Sequence, residues 1–196
     1  MHILIMVMAL ILITNVAGAE EYKGVKIAPT SHEGTYKRSL YRHWVDADRD
    51  KLDTRQEVLI EESRAQVTII TKPNGKRAVT DGLWIGPYAN FKTTDPGKLD
   101  VDHMVPLKEA HISGAWAWGK NRKKAYANYM THKQHLIAVK AGENRSKGAK
   151  DPTKYMPKVN KCRYLIDWVE VKRRWGLSMD RNEVDYVKAG LQACGR

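Results

Sequence analysis

Cysteine is scarce in this chain of 196 residues, which has only Cys162 and Cys194. Neither has a second cysteine or a histidine at zinc-finger spacing, so a structural zinc module is excluded. Long apolar runs are missing too: Ile3 to Val16 covers about 14 residues, short of the roughly 20 that a spanning helix needs. That run ends at Ala17-Gly18-Ala19 ahead of Glu20-Glu21, the small-x-small pattern of a signal-peptidase site. Residues 1–19 therefore read as a secretion signal and 20–196 as the mature domain, extracellular or periplasmic. Lys and Arg are absent ahead of the apolar run, where only His2 and the terminal amine stand, and this keeps a membrane anchor as the alternative. No internal repeat and no low-complexity tract occurs, which leaves out repeat arrays and disordered linkers. In an exported chain the two cysteines read first as a disulfide, stabilising by about 3 to 4 kcal/mol for a loop of this size, and second as two buried thiols.

Acidic residues are the third shortage, and it is local. Between Lys120 and Arg174 sixteen Lys and Arg face only Glu143, Asp151, Asp167 and Glu170, a surplus of twelve that equals the formal net charge of the whole chain. The remainder is formally neutral, so the sequence assigns the positive field to one region downstream of His103. Such a field suits a polyanion, of which nucleic acid is the commonest; a solvated basic face is the alternative. What is plentiful is ordinary: 42% apolar and 29% charged residues suit one globular domain with a sizeable core.

The pattern along the chain predicts an α+β fold. Glu20 to Gly34 reads as an irregular lead-in, and Tyr36, Leu40, Tyr41 and Trp44 fall at the spacing of a short amphipathic helix. Gln66 to Thr71 and Lys76 to Thr80 flank Pro73-Asn74-Gly75, a strong hairpin signal, and a loop-rich stretch follows from Asp81 to Lys98. Leu107 to Trp118 predicts a helix, with Ala125 to Met130 as a second piece. His135 to Val139 suits a short buried strand, and Glu143 opens a short helix ended by Gly148. Helices over 162–175 and from Asp180 onward close the chain.

The run Leu99-Asp-Val-Asp-His-Met-Val-Pro-Leu107 carries the chemistry. A neutral imidazole takes a proton near pH 7 and a carboxylate holds a hard cation, so Asp102 beside His103 suggests metal-assisted hydrolysis. Neighbouring strand residues point to opposite faces, and the two serve one surface only if the strand bends there, as Pro106 allows. Two antiparallel strands backed by a helix would bring Asn144 to the end of this strand. Asp102 and the Asn144 amide oxygen would then bind one divalent cation, Mg²⁺ or Mn²⁺, with His103 beside it; for Asn144 a helix cap is the alternative. Arg145, Lys147 and Lys150 are the expected phosphate contacts. Arg55 either grips the scissile phosphate or pairs with an acid such as Glu57. Asp46-x-Asp48-x-Asp50 with Glu57 at the twelfth place copies the acidic positions of a calcium loop, but Lys51 stands where such a loop has Gly, so structural Ca²⁺ competes with a plain acidic turn.

Asp100-Val-Asp-His-Met-Val-Pro-Leu107, Ser113-Gly-Ala115, Tyr126-Ala-Asn128, His135-Leu-Ile-Ala-Val139, Asn144-Arg-Ser-Lys-Gly148 and Asp151-Pro152 together resemble the secreted HNH endonucleases of the ββα-metal superfamily, of the His-x-x-Pro, DUF1524-like type. Trp44 and Asp53-Thr-Arg-Gln-Glu-Val-Leu59 extend the likeness upstream, whereas Lys51 and Leu52 depart from the Gly and Cys common there. The resemblance implies a ββα-metal motif, an upstream hairpin and C-terminal helices. It implies a secreted, largely non-specific endonuclease, active as a monomer on DNA, with RNA as the second substrate, leaving 5′-phosphate and 3′-hydroxyl ends. His103 becomes the general base, Asp102 and Asn144 the metal ligands, and Asn128 the brace of the histidine loop. The competing reading is a basic, non-catalytic module that binds nucleic acid at a cell surface.

Overall fold

The computed structural model describes residues 20–196; the expected signal at 1–19 lies outside the described residues. Residues Glu21–Tyr22 (β1) and Val25–Ile27 (β2) form a tight hairpin whose turn, Lys23-Gly24, has both φ angles positive, at 49° and 74°, the geometry that matches strand twist. The lead-in expected to be irregular is thus paired. The amphipathic helix predicted over Tyr36 to Trp44 does not form. Two single 3₁₀ turns, Glu33–Thr35 and Arg38–Leu40, stand near it, and the aromatic spacing reflects Tyr41 driven singly into the core, its hydroxyl against His111.

Helix α1 (Thr54–Glu62) starts where Asp53 accepts the Gln56 N–H at 3.2 Å, a capping pattern that the sequence reading passed over. Strands β3 (Thr68–Thr71) and β4 (Arg77–Asp81) form the predicted hairpin. The stretch expected to be loop holds a second one, β5 (Trp84–Gly86) with β6 (Phe91–Thr93). Then β7 (Leu99–His103) runs into α2 (Leu107–Ile112), which stops well short of Trp118, and α3 (Lys120–Ala127) starts earlier than expected. Strand β8 (Leu136–Lys140) returns antiparallel to β7, with Asp102 opposite Ile137 and His103 opposite Leu136, and passes directly into α4 (Ala141–Lys147). Helix α5 (Lys161–Trp175), β9 (Ser178–Met179) and α6 (Arg181–Ala193) complete one α+β domain, β9 lying parallel to β2.

The β7–β8 ribbon is buried on both faces, and side-chain alternation decides what each face meets. Leu99, Val101, Leu136 and Ala138 pack on Val58 and Leu59 of α1 and on Trp84. Ile137 and Val139 turn the other way, into the larger cluster with Tyr126, Leu165, Trp168 and Val187. Each such side chain, once fully buried, contributes about 1.5 to 3 kcal/mol. Lys172 of α5 is fully enclosed, with Glu109 at 2.9 Å, Glu183 at 2.7 Å and the Ser178 carbonyl at 2.9 Å; one ammonium thereby ties α2, α5, β9 and α6. Cys162 and Cys194 are disulfide-bonded, Cα atoms 5.9 Å apart, joining the first turn of α5 to the end of α6.

Candidate active site

Because β7 alternates, Asp100 and Asp102 share one face, and because α4 places residues three apart side by side, Asn144 and Lys147 share another. The two faces meet rung by rung. Asn144 Nδ2 donates to Asp100 Oδ2 at 3.1 Å, and Lys147 Nζ donates to Asp102 Oδ2 at 2.6 Å and to the His103 carbonyl at 2.8 Å. The Tyr88 hydroxyl adds a third bond, 2.7 Å to the same Oδ2. Burial pushes the Asp102 carboxyl up and the Lys147 ammonium down, each toward its neutral form, and their contact opposes both shifts.

His103 ends β7, and Met104 to Pro106 turn the chain away, so Asp102 and His103 reach a common cleft of about 320 Å³ despite the alternation. Asn144, Arg145, Arg38 and Lys108 line the same cleft. The His103 ring is clamped between Trp44, centroids 5.7 Å apart and 27° from parallel, and Tyr126, at 6.3 Å and 10°. Its Nε2 lies 3.0 Å from the Ala127 carbonyl. A carbonyl only accepts, so Nε2 carries the proton and Nδ1 keeps the lone pair. Burial, reinforced by His135, holds this imidazole well below the ordinary histidine range, leaving it neutral at pH 7. The arrangement can therefore accept a proton from a group bound in the cleft.

The oxygen donors fit a hard cation. Oδ2 of Asp102 is spent on Lys147 and Tyr88, while among the described residues Oδ1 takes no hydrogen bond. Asp100 accepts only, so the Asn144 amide turns its nitrogen there, and among the described residues its oxygen takes no hydrogen bond. A carboxylate and an amide oxygen suit Mg²⁺ or Mn²⁺ rather than a soft metal.

Other expected residues fall elsewhere. Lys147, expected on a phosphate, is 0% exposed beneath Asp102 and cannot reach a substrate backbone. Among the described residues Arg55 pairs with no acid: its guanidinium donates to the Pro96 and Leu99 carbonyls, both 3.2 Å, bracing the entry to β7. Asn144 is no cap, since it lies inside α4, whose cap position is Lys140. Asn128 does brace. Its Oδ1 accepts from the Val45 N–H and Thr54 hydroxyl, and its Nδ2 donates to the Arg42 and Lys124 carbonyls, fixing the chain beside Ala127. Arg145 stays at the cleft mouth, and Lys150 is exposed. Asp46, Asp48 and Asp50 bring carboxylate oxygens within 4.8 Å of one another, without Glu57.

Arg38, Lys108 and Tyr88 were missed. Arg38 and Tyr88 lie far from the motif in sequence and carried no signal; Asp100 was missed too, although its alternation with Asp102 was a signal that could have found it. Charge pairing leaves the sequence count unchanged but shows where its cations go. Among the described residues nine of the sixteen cations between Lys120 and Arg174 pair with an acid, including Lys147, Arg163, Lys172, Arg173 and Arg174.

No protein-family model and no solved structure matches the chain. It is 30% identical over 174 residues to a protein of Arthroderma benhamiae described as an uncharacterized secreted protein, an alignment covering 87% of this chain and 81% of the fungal one. Among the described residues no helix is long and apolar enough to cross a membrane. The chain belongs to the family of that fungal protein and is, like it, secreted.

Proposed function

We propose that the protein is a metal-dependent endonuclease that hydrolyses phosphodiester bonds in DNA with little sequence preference, leaving 5′-phosphate and 3′-hydroxyl ends. The observation that carries this reading is the 3.0 Å contact of His103 Nε2 with the Ala127 carbonyl, which leaves Nδ1 as the unprotonated nitrogen of a residue that lines one cleft with Asp102 and Asn144. His103 Nδ1 takes the proton of a water as the water attacks phosphorus. Asp102 and Asn144 would hold Mg²⁺ or Mn²⁺, which when bound supplies charge stabilisation for the phosphate and the departing 3′ oxygen. Lys147 and Tyr88 keep the Asp102 carboxylate oriented, Asn128 holds the segment bearing Ala127, and Arg38, which pairs with no acid among the described residues, attracts the backbone to the cleft. Arg145, with only a long 3.9 Å contact to Asp100, adds to this pull, while Lys108 is held by Glu33 at 2.7 Å. A general base contributes about 10² to 10⁴-fold, so electrostatics must supply most of the acceleration.

Incubation of supercoiled plasmid with Mg²⁺, with and without EDTA, tests the reading. Nicking that needs the metal and disappears in His103→Ala, while that variant still shifts plasmid in a gel, is the expected result. Retention of plasmid with no nicking under any divalent metal would return the protein to the class of non-catalytic nucleic-acid binders.

A further inference from the structure

We propose that a second groove, lined in part by Trp44, whose ring stacks on His103, seats the backbone of the nucleic-acid strand beyond the scissile phosphate; this rests on the endonuclease reading above. The groove, of about 620 Å³, is lined by Arg42, Trp44, Lys51, Lys76, Arg77 and Lys124, drawn from the segment before α1, the β3–β4 hairpin and α3. All but Lys124 come from the part of the chain that is formally neutral. Folding gathers their charge into one trough.

Arg77 is spent on Asp50, 3.1 Å away. Among the described residues Arg42, Lys51, Lys76 and Lys124 pair with no carboxylate. Two acids, Asp46 and Asp53, also line the groove and bond to backbone N–H groups, so the four unpaired cations outnumber them two to one. Unpaired cations held on one surface repel one another and are relieved by a polyanion. They sit on long exposed side chains around an open trough, with no convergent buried donor set. That arrangement suits a repeating series of phosphates rather than one small anion.

Trp44 connects the two depressions. It has a φ of 55°, a region that a bulky aromatic rarely occupies and that carries strain. One side of its ring stacks on His103, and the residue also lines the basic groove. Arg38 of the cleft lies 3.4 Å from His43 Nε2, and His43 stands in the chain between Arg42 and Trp44 of the groove. A strand placed against His103 is led past Trp44 toward Lys76 and Lys124.

The test is fluorescence anisotropy with a labelled 20-base-pair DNA duplex in EDTA, on the His103→Ala background so that the probe stays intact. Arg42→Gln/Lys76→Gln/Lys124→Gln is compared with Lys26→Gln/Lys161→Gln/Lys188→Gln, which removes the same charge from exposed positions elsewhere. The groove variant is expected to weaken binding at least tenfold beyond the control. It is also expected to reduce the slope of log affinity against log salt by about 2.7, at about 0.9 per lost phosphate contact. Equal losses in the two variants overturn the proposal while plasmid nicking by the unmodified protein leaves the endonuclease reading standing. Failure of the parent to bind duplex at all overturns the groove regardless of nicking.

Discussion

Replacing Lys147 by Met removes one half of an ion pair whose side chains are 0% and 5% exposed. The methionine fills a similar volume, so packing changes little, but Asp102 keeps only the Tyr88 hydroxyl and the His103 carbonyl loses its donor. Breaking a buried pair from one side costs about 3 to 5 kcal/mol, because the remaining charge stays desolvated. With a urea slope of about 2 kcal/mol per M for a domain of this size, a loss of about 4 kcal/mol lowers the unfolding midpoint by about 2 M. Without the ammonium, the Asp102 carboxyl rises further above its ordinary value of 3.8. A carboxyl raised on folding costs no stability below its unfolded value and the full amount above its folded one. The deficit of Lys147→Met should therefore grow as pH rises from 4 and shrink in acid. Lys147→Met/Asp102→Asn, which removes both charges, should recover most of the loss. The measurement is urea unfolding by tryptophan fluorescence at several pH values. A single variant within about 1 kcal/mol of the parent at pH 7, or a double variant no better than the single, refutes the view that this pair is a charged, desolvated unit.

Glu62 has its carboxyl pushed up to about 7, chiefly by burial, although it accepts the Ala138 N–H at 2.7 Å. Its contribution is intact below its unfolded value of 4.5 and lost as pH rises through 7, so Glu62→Gln should flatten the fall in urea midpoint between pH 5 and 8. Reduction of Cys162–Cys194, or Cys162→Ala/Cys194→Ala, should cost about 4 kcal/mol for a sequence separation of 32 and appear as a lower melting temperature. Asn128→Ala frees four polar groups and should cost about 2 to 3 kcal/mol by denaturation. In the plasmid assay it should slow nicking more than it weakens plasmid retention, since it loosens the support of His103 rather than a phosphate contact.

The two-residue rhythm of Leu99 to His103 and the Asn74-Gly75 turn are local signals, and β7, β8 and the β3–β4 hairpin appear within a residue or two of their expected positions. Helices α5 and α6 were equally legible from their apolar stripes and from the Asp180 cap. Failures arose where distant packing overrode spacing, as at Tyr41, or where the element was very short, as in β1 and β5. For the site, the sequence named Asp102, His103 and Asn144, and all three line one cleft. It misplaced Lys147 because a lysine in a basic run looks solvated, and only the partner across the helix face reveals that it is buried. A count along the chain likewise cannot see which cations fold onto acids, and nine of the sixteen between Lys120 and Arg174 do so among the described residues.

The pairing of Lys26 with Ser178 and Ile27 with Met179 fastens the first strands of the described domain to a segment about 150 residues further along the chain. Contacts so remote along the chain are slow to form, since the loop between them must be closed before any reward arrives. A growing or partly exported chain lacks the segment that its own front edge requires. The three-stranded sheet of β1, β2 and β9 therefore closes only once the stretch bearing Ser178 and Met179 has been made and delivered.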